Sequence, residues 1–441
     1  MLLQIRHTGK SENGQPLFVI VNGRKQTETP VPIASPWEIM IGTQSLRQGL
    51  QWYLEKYLEL PIDNFRKRAE EVLTALSQWG QDCVKALFSE EHARCWYRDE
   101  QKERFTNLQL EIVSDDAEVL SWPWEVLESR DNGLLALECH IERRLEKIGD
   151  ACSISKKLPQ EQLNILYIIA RPYGDHDIGF QTLARPLIDF VNKGGWPVHI
   201  DVLRPPTFDK LRAVLKENPD FYHIVHFDGH GGFDDNYSAS GGYMDPHAKQ
   251  AKYTGQSGKL VFEKDDTKYS PDEIPAAMLG ELLRKHSIPV MVLNACQSAM
   301  HTSDPFASVA VSLLRAGIRG VVAMSYSLWV RGAEVFVPEF YKSLFKAGDL
   351  ATAMQAGRRE MFNNQMRNTF SGQVPFHDWM VPVLYQQEAE GILPKLDPGE
   401  RHKSGLPSEM QELGDYGFIG VIAPSKSRNK PAGILIRGME G

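Results

Sequence analysis

Apolar residues in the second half of the chain form short, nearly continuous runs separated by stretches of amphipathic sequence. Runs of this kind are typical of strands that are buried on both faces of a parallel sheet. The predicted strands are Leu163–Ala170, Val198–Leu203, Tyr222–Phe227, Pro289–Asn294, Gly320–Met324 and Val381–Tyr385.

The stretches between these strands carry apolar residues at helical spacing. Phe306–Ala316 has the clearest ends, because Asp304 is a good N-cap, Pro305 suits the first turn and Gly317 follows the last turn. Alternating strands and helices predict an α/β fold, an open α/β/α sandwich. The other predicted helices are Pro186–Lys193, Thr207–Glu217, Pro275–Lys285, Ala333–Phe345 and Leu350–Phe362.

The first 150 residues have a more mixed pattern. Leu17–Val21, just before Asn22-Gly23, predicts a strand that enters a hairpin turn. Leu108–Val113 alternates like a strand, and Ser45–Leu60 and Asn64–Trp79 have helical spacing. After residue 387 the sequence becomes rich in Pro, Gly, Ser and Lys, as in a linker. We therefore predict three regions, residues 1–150, 151–390 and 391–441.

Composition narrows the function classes. The chain has 441 residues, of which 42% are hydrophobic and 24% charged, as in an ordinary globular protein. Its net charge of −8 argues against direct nucleic-acid binding, which needs a basic surface. No apolar run approaches the length of a membrane span, and Arg6 interrupts any signal peptide. We expect a cytoplasmic protein without membrane contact.

Two predicted strands end in residues that can carry chemistry. Sites in open α/β sheets lie beyond the carboxyl ends of the strands. His230, bracketed by Gly229 and Gly231, follows one strand, and Cys296 follows another. An imidazole beside a thiol is sufficient for nucleophilic catalysis. The backbone N–H groups of Gly231 and Cys296 are the predicted oxyanion donors.

Other roles for these side chains are weaker. His226 and His230 are four residues apart, but that spacing needs a helix to form a metal pair and this segment reads as a strand. We predict no metal and no other cofactor. His223 and His226 are expected in the core. The remaining cysteines have no CxxC spacing and are interpreted as structural; they are Cys83, Cys95, Cys139 and Cys152.

At this point the residues resemble a known family. HFDGHGG (226–232) and LNACQSA (293–299) on such a sheet resemble the CHAT proteases of the caspase-like clan of cysteine peptidases. This clan also includes caspases, metacaspases, separase and gingipains. Pro123-Trp-Glu-Val-Leu in the first half, and Asp378-Trp379 with Pro382-Val-Leu-Tyr385 near the end, are similar to further CHAT segments. The resemblance covers roughly residues 108–386.

The resemblance implies a caspase-like α/β/α sandwich with a mostly parallel central sheet, preceded by a pseudo-caspase-like N-terminal region. It makes Cys296 the nucleophile and His230 the catalytic histidine of an endopeptidase that forms a thioester acyl-enzyme. Peptide substrates are expected to add as a strand beside the loop after Gly320–Met324, at Ser325, Tyr326 and Ser327.

One position departs from the family pattern. Many relatives carry an aspartate that lines the pocket for a basic substrate side chain, and the corresponding residue here is the neutral Val330. Asp228, next to the histidine motif, either supplies this charge or is a solvated loop residue. The P1 preference therefore stays open. The stretch Gly231–Lys259 is polar and is predicted to be a loop that shapes or gates the site.

The C-terminal tail suggests a regulator. Residues 432–441 resemble the opening of a nucleotide-binding P-loop, but the chain ends before the required Lys-Ser/Thr. With the resemblance, this points to the effector module of a bacterial sensing or antiviral defence protein. Its partners would be a protein substrate and a nucleotide-binding or sensor region in cis or in trans. A catalytically silent scaffold and a hydrolase of small molecules are the alternatives.

Overall fold

The computed structural model describes residues 1–129, 131, 133–147, 152–173, 187, 190–191, 195–234, 257–264, 270–296, 305–326, 328–387 and 391–397. Within these ranges, only the backbone is described for residues 232–234, 257, 296, 305–308 and 330. Every structural statement below refers to these residues.

The strands of the described residues, in chain order, are β1 Leu2–Lys10, β2 Pro16–Asn22, β3 Lys25–Gln26, β4 Val31–Pro32, β5 Met40–Ile41, β6 Gln44–Ser45, β7 Gln109–Val113, β8 Glu128–Ser129, β9 Gly133–Leu134, β10 His140–Arg144, β11 Leu163–Ile169, β12 Val198–Val202, β13 Ile224–Asp234, β14 Ser257–Glu263, β15 Pro271–Pro275, β16 Val290–Cys296, β17 Gly320–Met324, β18 Met366–Thr369, β19 Gly372–Pro375 and β20 Pro382–Gln386.

The α-helices of the described residues are α1 Leu46–Glu55, α2 Asp63–Leu87, α3 Glu91–Lys102, α4 Ala117–Ser121, α5 Leu135–Glu138, α6 Phe208–Glu217, α7 Ala276–Lys285, α8 Pro305–Arg315, α9 Val330–Ala347 and α10 Leu350–Asn363. Short 3-10 helices span Pro36–Glu38, Tyr57–Glu59 and Trp124–Val126.

One large sheet runs through both halves of the chain. Its main strand order is β12-β11-β13-β16-β17-β20-β10-β7-β1-β2-β3. The strands from β12 to β17 are parallel to one another, and so are β20, β10, β7 and β1. These two parallel blocks meet at the antiparallel pair β17–β20. The carboxyl ends of the two blocks therefore lie at opposite edges of the sheet.

Helices cover both faces of this sheet. On one face, His226 of β13 bonds to Tyr341 of α9, and Gly320 of β17 packs against Leu350 of α10. On the other face, α8 lies so close to β14 that a Cβ atom on Gly258 would be 2.6 Å from Val309. The predicted α/β/α sandwich with a mostly parallel sheet is confirmed.

Several predicted element ends are also found in the structure. The strand Gly320–Met324 has the predicted bounds. Thr207 caps α6, because its side chain accepts a hydrogen bond from the Lys210 N–H. Helix α8 begins at Pro305, while its predicted N-cap Asp304 lies outside the described residues. Most of the predicted helix Pro186–Lys193 also lies outside them.

The beginning of the predicted linker is packed against the core. Ile392, Leu393 and Leu396 are buried, and the Leu396 N–H bonds to the carbonyl oxygen of Phe345 in α9. Three apolar side chains in seven residues explain this packing, because their burial favours docking over free solvation. The linker interpretation is therefore wrong for residues 391–397. The division near residues 150 and 390 stays a prediction, and the P-loop-like tail lies outside the described residues.

An open groove lies along α2, in the N-terminal half. It has a volume of about 840 Å³ and runs between α2 and the segment 32–39, with Trp79 and Cys83 among its lining residues. None of the predicted site residues lines it. No helix in the described part of the chain is long and apolar enough to cross a membrane.

Candidate active site

The parallel strands β13 and β16 bring the two predicted catalytic residues side by side. These strands are parallel neighbours, and their register pairs His230 with Cys296 as the last of seven aligned positions. Adjacent strands lie about 4.8 Å apart. Although they are 66 positions apart in the sequence, the backbones of residues 230 and 296 lie side by side at one edge of the sheet.

His230 lies within β13 and Cys296 is the last residue of β16, which corrects the prediction that each residue follows its strand. β13 continues to Asp234 because β14 pairs with it in antiparallel fashion, with Val261 opposite His230 and Leu260 opposite Gly231. The histidine backbone therefore has a paired strand on each side. The residues 231–234 and 257–259, which were expected in a loop, belong to this hairpin. The rest of the predicted loop, residues 235–256, lies outside the described residues.

Position 229 requires a glycine because neighbouring atoms approach its backbone closely, and not because the chain turns tightly there. A Cβ atom there would lie 2.9 Å from the Phe227 ring and 3.2 Å from the Ala170 carbonyl oxygen. At this point β13 exchanges one neighbour for another, since β11 pairs with it up to Asp228 and β14 pairs with it from His230 onward. A side chain at residue 229 would push these strands apart.

Asp228 is a buried ion-pair partner, which corrects the expectation of a solvated loop residue. Its Oδ1 atom lies 3.0 Å from Nη2 of Arg171, and only 2% of the residue is exposed. Burial raises the pKa of this carboxyl although Arg171 and His230 favour its charged form. Arg171 also donates to the Asp228 carbonyl oxygen at 2.9 Å. Asp228 is thus bound to the turn after β11.

His226 is a neutral core histidine. Its ring lies between Tyr167 and Tyr341, with centroids 4.3 and 6.0 Å away, and its Nδ1 atom is 2.7 Å from the Tyr341 hydroxyl. Burial lowers the pKa of His226 to about 3. His223 is buried too, and it accepts from the Asn164 N–H while its Nε2 bonds to the Pro159 carbonyl. Both histidines have the core role that was predicted.

The predicted substrate loop begins where β16 and β17 diverge. Their last registered pair in the described chain is Val292–Val322, although both strands continue beyond it. Ser325 is half-buried, and both its N–H and its hydroxyl donate to the carbonyl oxygen of Val381, next to β20. Tyr326 is half-buried against the core. The edge of Ser325 that faces β20 is therefore already occupied.

Two further predicted substrate positions are less fully described. Ser327 lies outside the described residues. Val330 is the first residue of α9, and its side chain is not described.

One protein family matches most of this chain. The CHAT domain family matches residues 70–389, well over half of the chain. The chain belongs to the CHAT domain family. The match begins earlier than the motifs at residues 108–386 indicated, so it includes most of α2. No curated protein matches the sequence significantly.

Solved structures of caspase-like cysteine proteases are similar to this CHAT chain at low sequence identity. The separase–securin complex of Saccharomyces cerevisiae has 13% identity and a TM-score of 0.44, with 90% of this chain and 30% of the other covered. Gingipain R, an Arg-specific cysteine proteinase, has 12% sequence identity and a TM-score of 0.38, and the match covers 79% of this chain and 75% of the gingipain chain. The Drosophila initiator caspase Dronc has 11% sequence identity and a TM-score of 0.28, and the match covers 57% of this chain and 87% of the Dronc chain. The chain thus spans about 30% of the separase chain.

Sequence reasoning missed two residues that contact the histidine strand. Arg171 and Tyr173 follow directly after β11, and the ring of Tyr173 meets the His230 ring edge-on, with centroids 5.0 Å apart. The rule that sites lie beyond the carboxyl ends of parallel strands could have found them.

The cysteines other than Cys296 are poor candidates for the nucleophile. Cys83, Cys139 and Cys152 are buried free thiols, and burial raises the pKa of each. Cys95 is an exposed free thiol on α3, in the N-terminal half of the chain, whereas His230 lies on β13. The described residues contain no group of three or more His, Cys, Asp or Glu side chains that could hold a metal ion.

Proposed function

We propose that this CHAT domain is a cysteine endopeptidase in which Cys296 is the nucleophile and His230 the general base. The observation that carries the proposal is the register of β13 and β16, which aligns these two positions at the carboxyl edge of a parallel block. Membership of the CHAT family supports the same reaction class.

In the proposed reaction, His230 accepts the proton of the Cys296 thiol, and the thiolate attacks the carbonyl carbon of a peptide bond. The backbone N–H groups of Gly231 and Cys296 stabilise the negative oxygen that forms. The intermediate collapses to a thioester as the leaving amine takes the proton from His230. Water, deprotonated by His230, then hydrolyses the thioester and restores the thiol.

The paired backbone around His230 suits this role. A general base must keep its position while it gains and loses a proton, and His230 has β16 on one side and β14 on the other. We further propose that the substrate strand adds beside Ser325 and Tyr326, on the side away from Val381. The other side of Ser325 is already hydrogen-bonded to the Val381 carbonyl oxygen. The P1 preference is left open, since Val330 cannot pair with a cation.

The test replaces each dyad residue while leaving the fold intact. We expect Cys296→Ala and His230→Ala each to abolish the new protein N-termini that the wild type generates in a proteome. Cys95→Ala and His92→Ala are matched controls, because both residues lie on α3, outside the proposed site. Unfolding midpoints should stay within a few degrees of the wild type. Cleavage that persists in Cys296→Ala would exclude the proposed mechanism.

A catalytically silent scaffold is the second candidate. It shares the fold but predicts that an electrophilic peptide probe does not label Cys296, whereas the protease predicts labelling at this residue.

The free thiols at Cys83, Cys95, Cys139 and Cys152 favour a reducing compartment, and we propose a cytoplasmic location. A role as the regulated effector of a bacterial sensing or defence protein remains a proposal from the family resemblance.

A further inference from the structure

The turn after β11 contacts the histidine strand through the side chains of Arg171 and Tyr173. Arg171 lies at the point where β13 leaves β11 and begins to pair with β14. Its Nη1 atom donates to the carbonyl oxygens of Ala170 and Asp228, both at 2.9 Å, and its Nη2 atom donates to the Asp228 carboxylate at 3.0 Å. One planar guanidinium thereby joins the end of β11 to the residue two positions before His230.

The same arginine also reaches β14. Its backbone N–H donates to Oε1 of Glu263 at 2.8 Å, and Glu263 is the last residue of β14. β14 is the strand that pairs with His230 on its outer side. Arg171 therefore links all three strands, β11, β13 and β14, next to the histidine position.

Tyr173 contacts the imidazole itself. The two rings meet edge to face, with centroids 5.0 Å apart and an interplanar angle of 75°. His230 is 8% exposed and Tyr173 is 39% exposed, so the tyrosine ring shields one side of the histidine from solvent. Such a contact restricts the ring rotation of a histidine whose backbone is already held on both sides.

We propose that residues 170–173 position the His230 imidazole, with Arg171 holding the backbone of its strand and Tyr173 holding its ring. This inference rests on the proposed function, because it assigns positioning residues to the proposed base. Neither residue reaches the reacting atoms in this account. Their effect is on the fraction of time that the imidazole is oriented toward residue 296.

The first test compares Tyr173→Ala with Tyr173→Phe. Alanine removes the ring contact, and we expect kcat to fall about tenfold with KM changed by less than twofold. Phenylalanine keeps the ring and should restore kcat to within twofold of the wild type. A purely structural role would change the unfolding midpoint without this separation of kcat from KM.

A matched control exists in the same sheet. Phe221 and His199 form another edge-to-face pair, with centroids 5.5 Å apart and an interplanar angle of 75°, on the β12 side of the sheet. Phe221→Ala should leave kcat unchanged. If Tyr173→Ala retains the wild-type kcat, or if Phe221→Ala lowers it equally, the positioning role is wrong.

Alkylation of Cys296 by iodoacetamide, followed by mass spectrometry, separates this inference from the protease proposal because it needs no substrate. We expect Tyr173→Ala and Arg171→Lys to slow this alkylation about tenfold, and Tyr173→Phe to leave it unchanged. If the wild type cleaves no protein but alkylation shows this pattern, the protease proposal fails and the positioning role stands. If cleavage occurs and both Tyr173 variants match the wild type, the positioning role alone fails.

Discussion

Glu142 has a carboxyl group that the fold buries beside a second one. It lies in the middle of β10, opposite Glu111 of β7, and is 2% exposed. The Gln109 amide donates to its Oε1 atom, while Oε2 has no hydrogen-bond partner among the described residues. Burial, together with the charge of Glu111, raises the pKa of Glu142 to about 7 although the Gln109 hydrogen bond opposes the change.

This raised pKa predicts a pH-dependent stability. The unfolded carboxyl ionises near 4.5, so the folded state binds more protons between pH 4.5 and about 7. Stability is fully present below pH 4.5 and is lost as the pH rises through about 7. Glu142→Gln removes the titrating group. As the pH rises from 4.5 to 8, we expect the free energy of unfolding of this variant to increase by about 3 kcal/mol relative to that of the wild type.

Urea denaturation of both proteins at pH 4.5, 6 and 8 measures this difference. The comparison is made between variant and wild type, so that other titrating groups, such as His226, cancel. Glu118→Gln changes an exposed glutamate of α4 and should show no such dependence on pH. If the stability difference between Glu142→Gln and the wild type is the same at all three pH values, the raised pKa of the Glu142 carboxyl is wrong.

At the residue scale, the sequence was sufficient to predict that positions 230 and 296 lie side by side, while their catalytic roles are proposals. His230 and Cys296 were found because each lies beside glycines or at the end of an apolar run. Asp228 was misjudged, because its ion pair with Arg171 joins residues 57 positions apart and leaves no local pattern. Tyr173 was missed for the same reason, since its contact with His230 depends on where β11 lies beside β13.

At the scale of elements, a buried charge cluster joins the 3-10 helix Trp124–Val126 to β10, β20 and α10. Glu125 lies 2.6 Å from Arg143 of β10 and 2.8 Å from Arg358 of α10, and all three are almost completely buried. Burial alone would raise the pKa of Glu125, but the two guanidinium groups outweigh it and hold the pKa below its usual value. Arg358 also donates to the Pro382 carbonyl oxygen at the start of β20.

Removing the charge of Glu125 should therefore be costly. Glu125→Gln leaves two buried guanidinium groups without a counter-charge, and we expect a loss of about 3–5 kcal/mol in the free energy of unfolding. Glu138→Gln is the matched control, because Glu138 pairs with Arg359, the neighbour of Arg358, in an exposed ion pair at 3.4 Å. It should cost less than about 1 kcal/mol. Equal losses in the two variants, by chemical denaturation, would contradict this view of the cluster.

Elements with uninterrupted apolar runs were predictable, and elements stabilised by distant partners were not. Gly320–Met324 is buried throughout and was predicted with its bounds. The extension of β13 to Asp234 was missed, because it depends on antiparallel pairing with β14 and not on its own Gly-rich sequence. β10, His140–Arg144, was missed because three of its five residues are charged and find buried partners only in the folded chain.

At the scale of the whole molecule, the sheet consists of two parallel blocks that run in opposite directions. Alternating strands and helices predicted the parallel sheet, but the reversal at β17–β20 depends on which strands become neighbours. The carboxyl ends of β11, β13, β16 and β17 lie at one edge, because these strands are parallel to one another. The carboxyl ends of β1, β7, β10 and β20 lie at the other edge. The proposed dyad and its positioning residues are all on the first edge.

The parallel pairing of β13 and β16 places positions 230 and 296 side by side, and the reactivity of Cys296 tests most directly whether the two residues act together. We propose measuring its rate of alkylation by iodoacetamide at pH 7 in the intact wild type and in His230→Ala, with the exposed Cys95 as an internal reference. We expect Cys296 to react at least about tenfold more slowly in His230→Ala, while the rate at Cys95 is unchanged. Equal rates at Cys296 in both proteins would contradict the proposed Cys–His dyad.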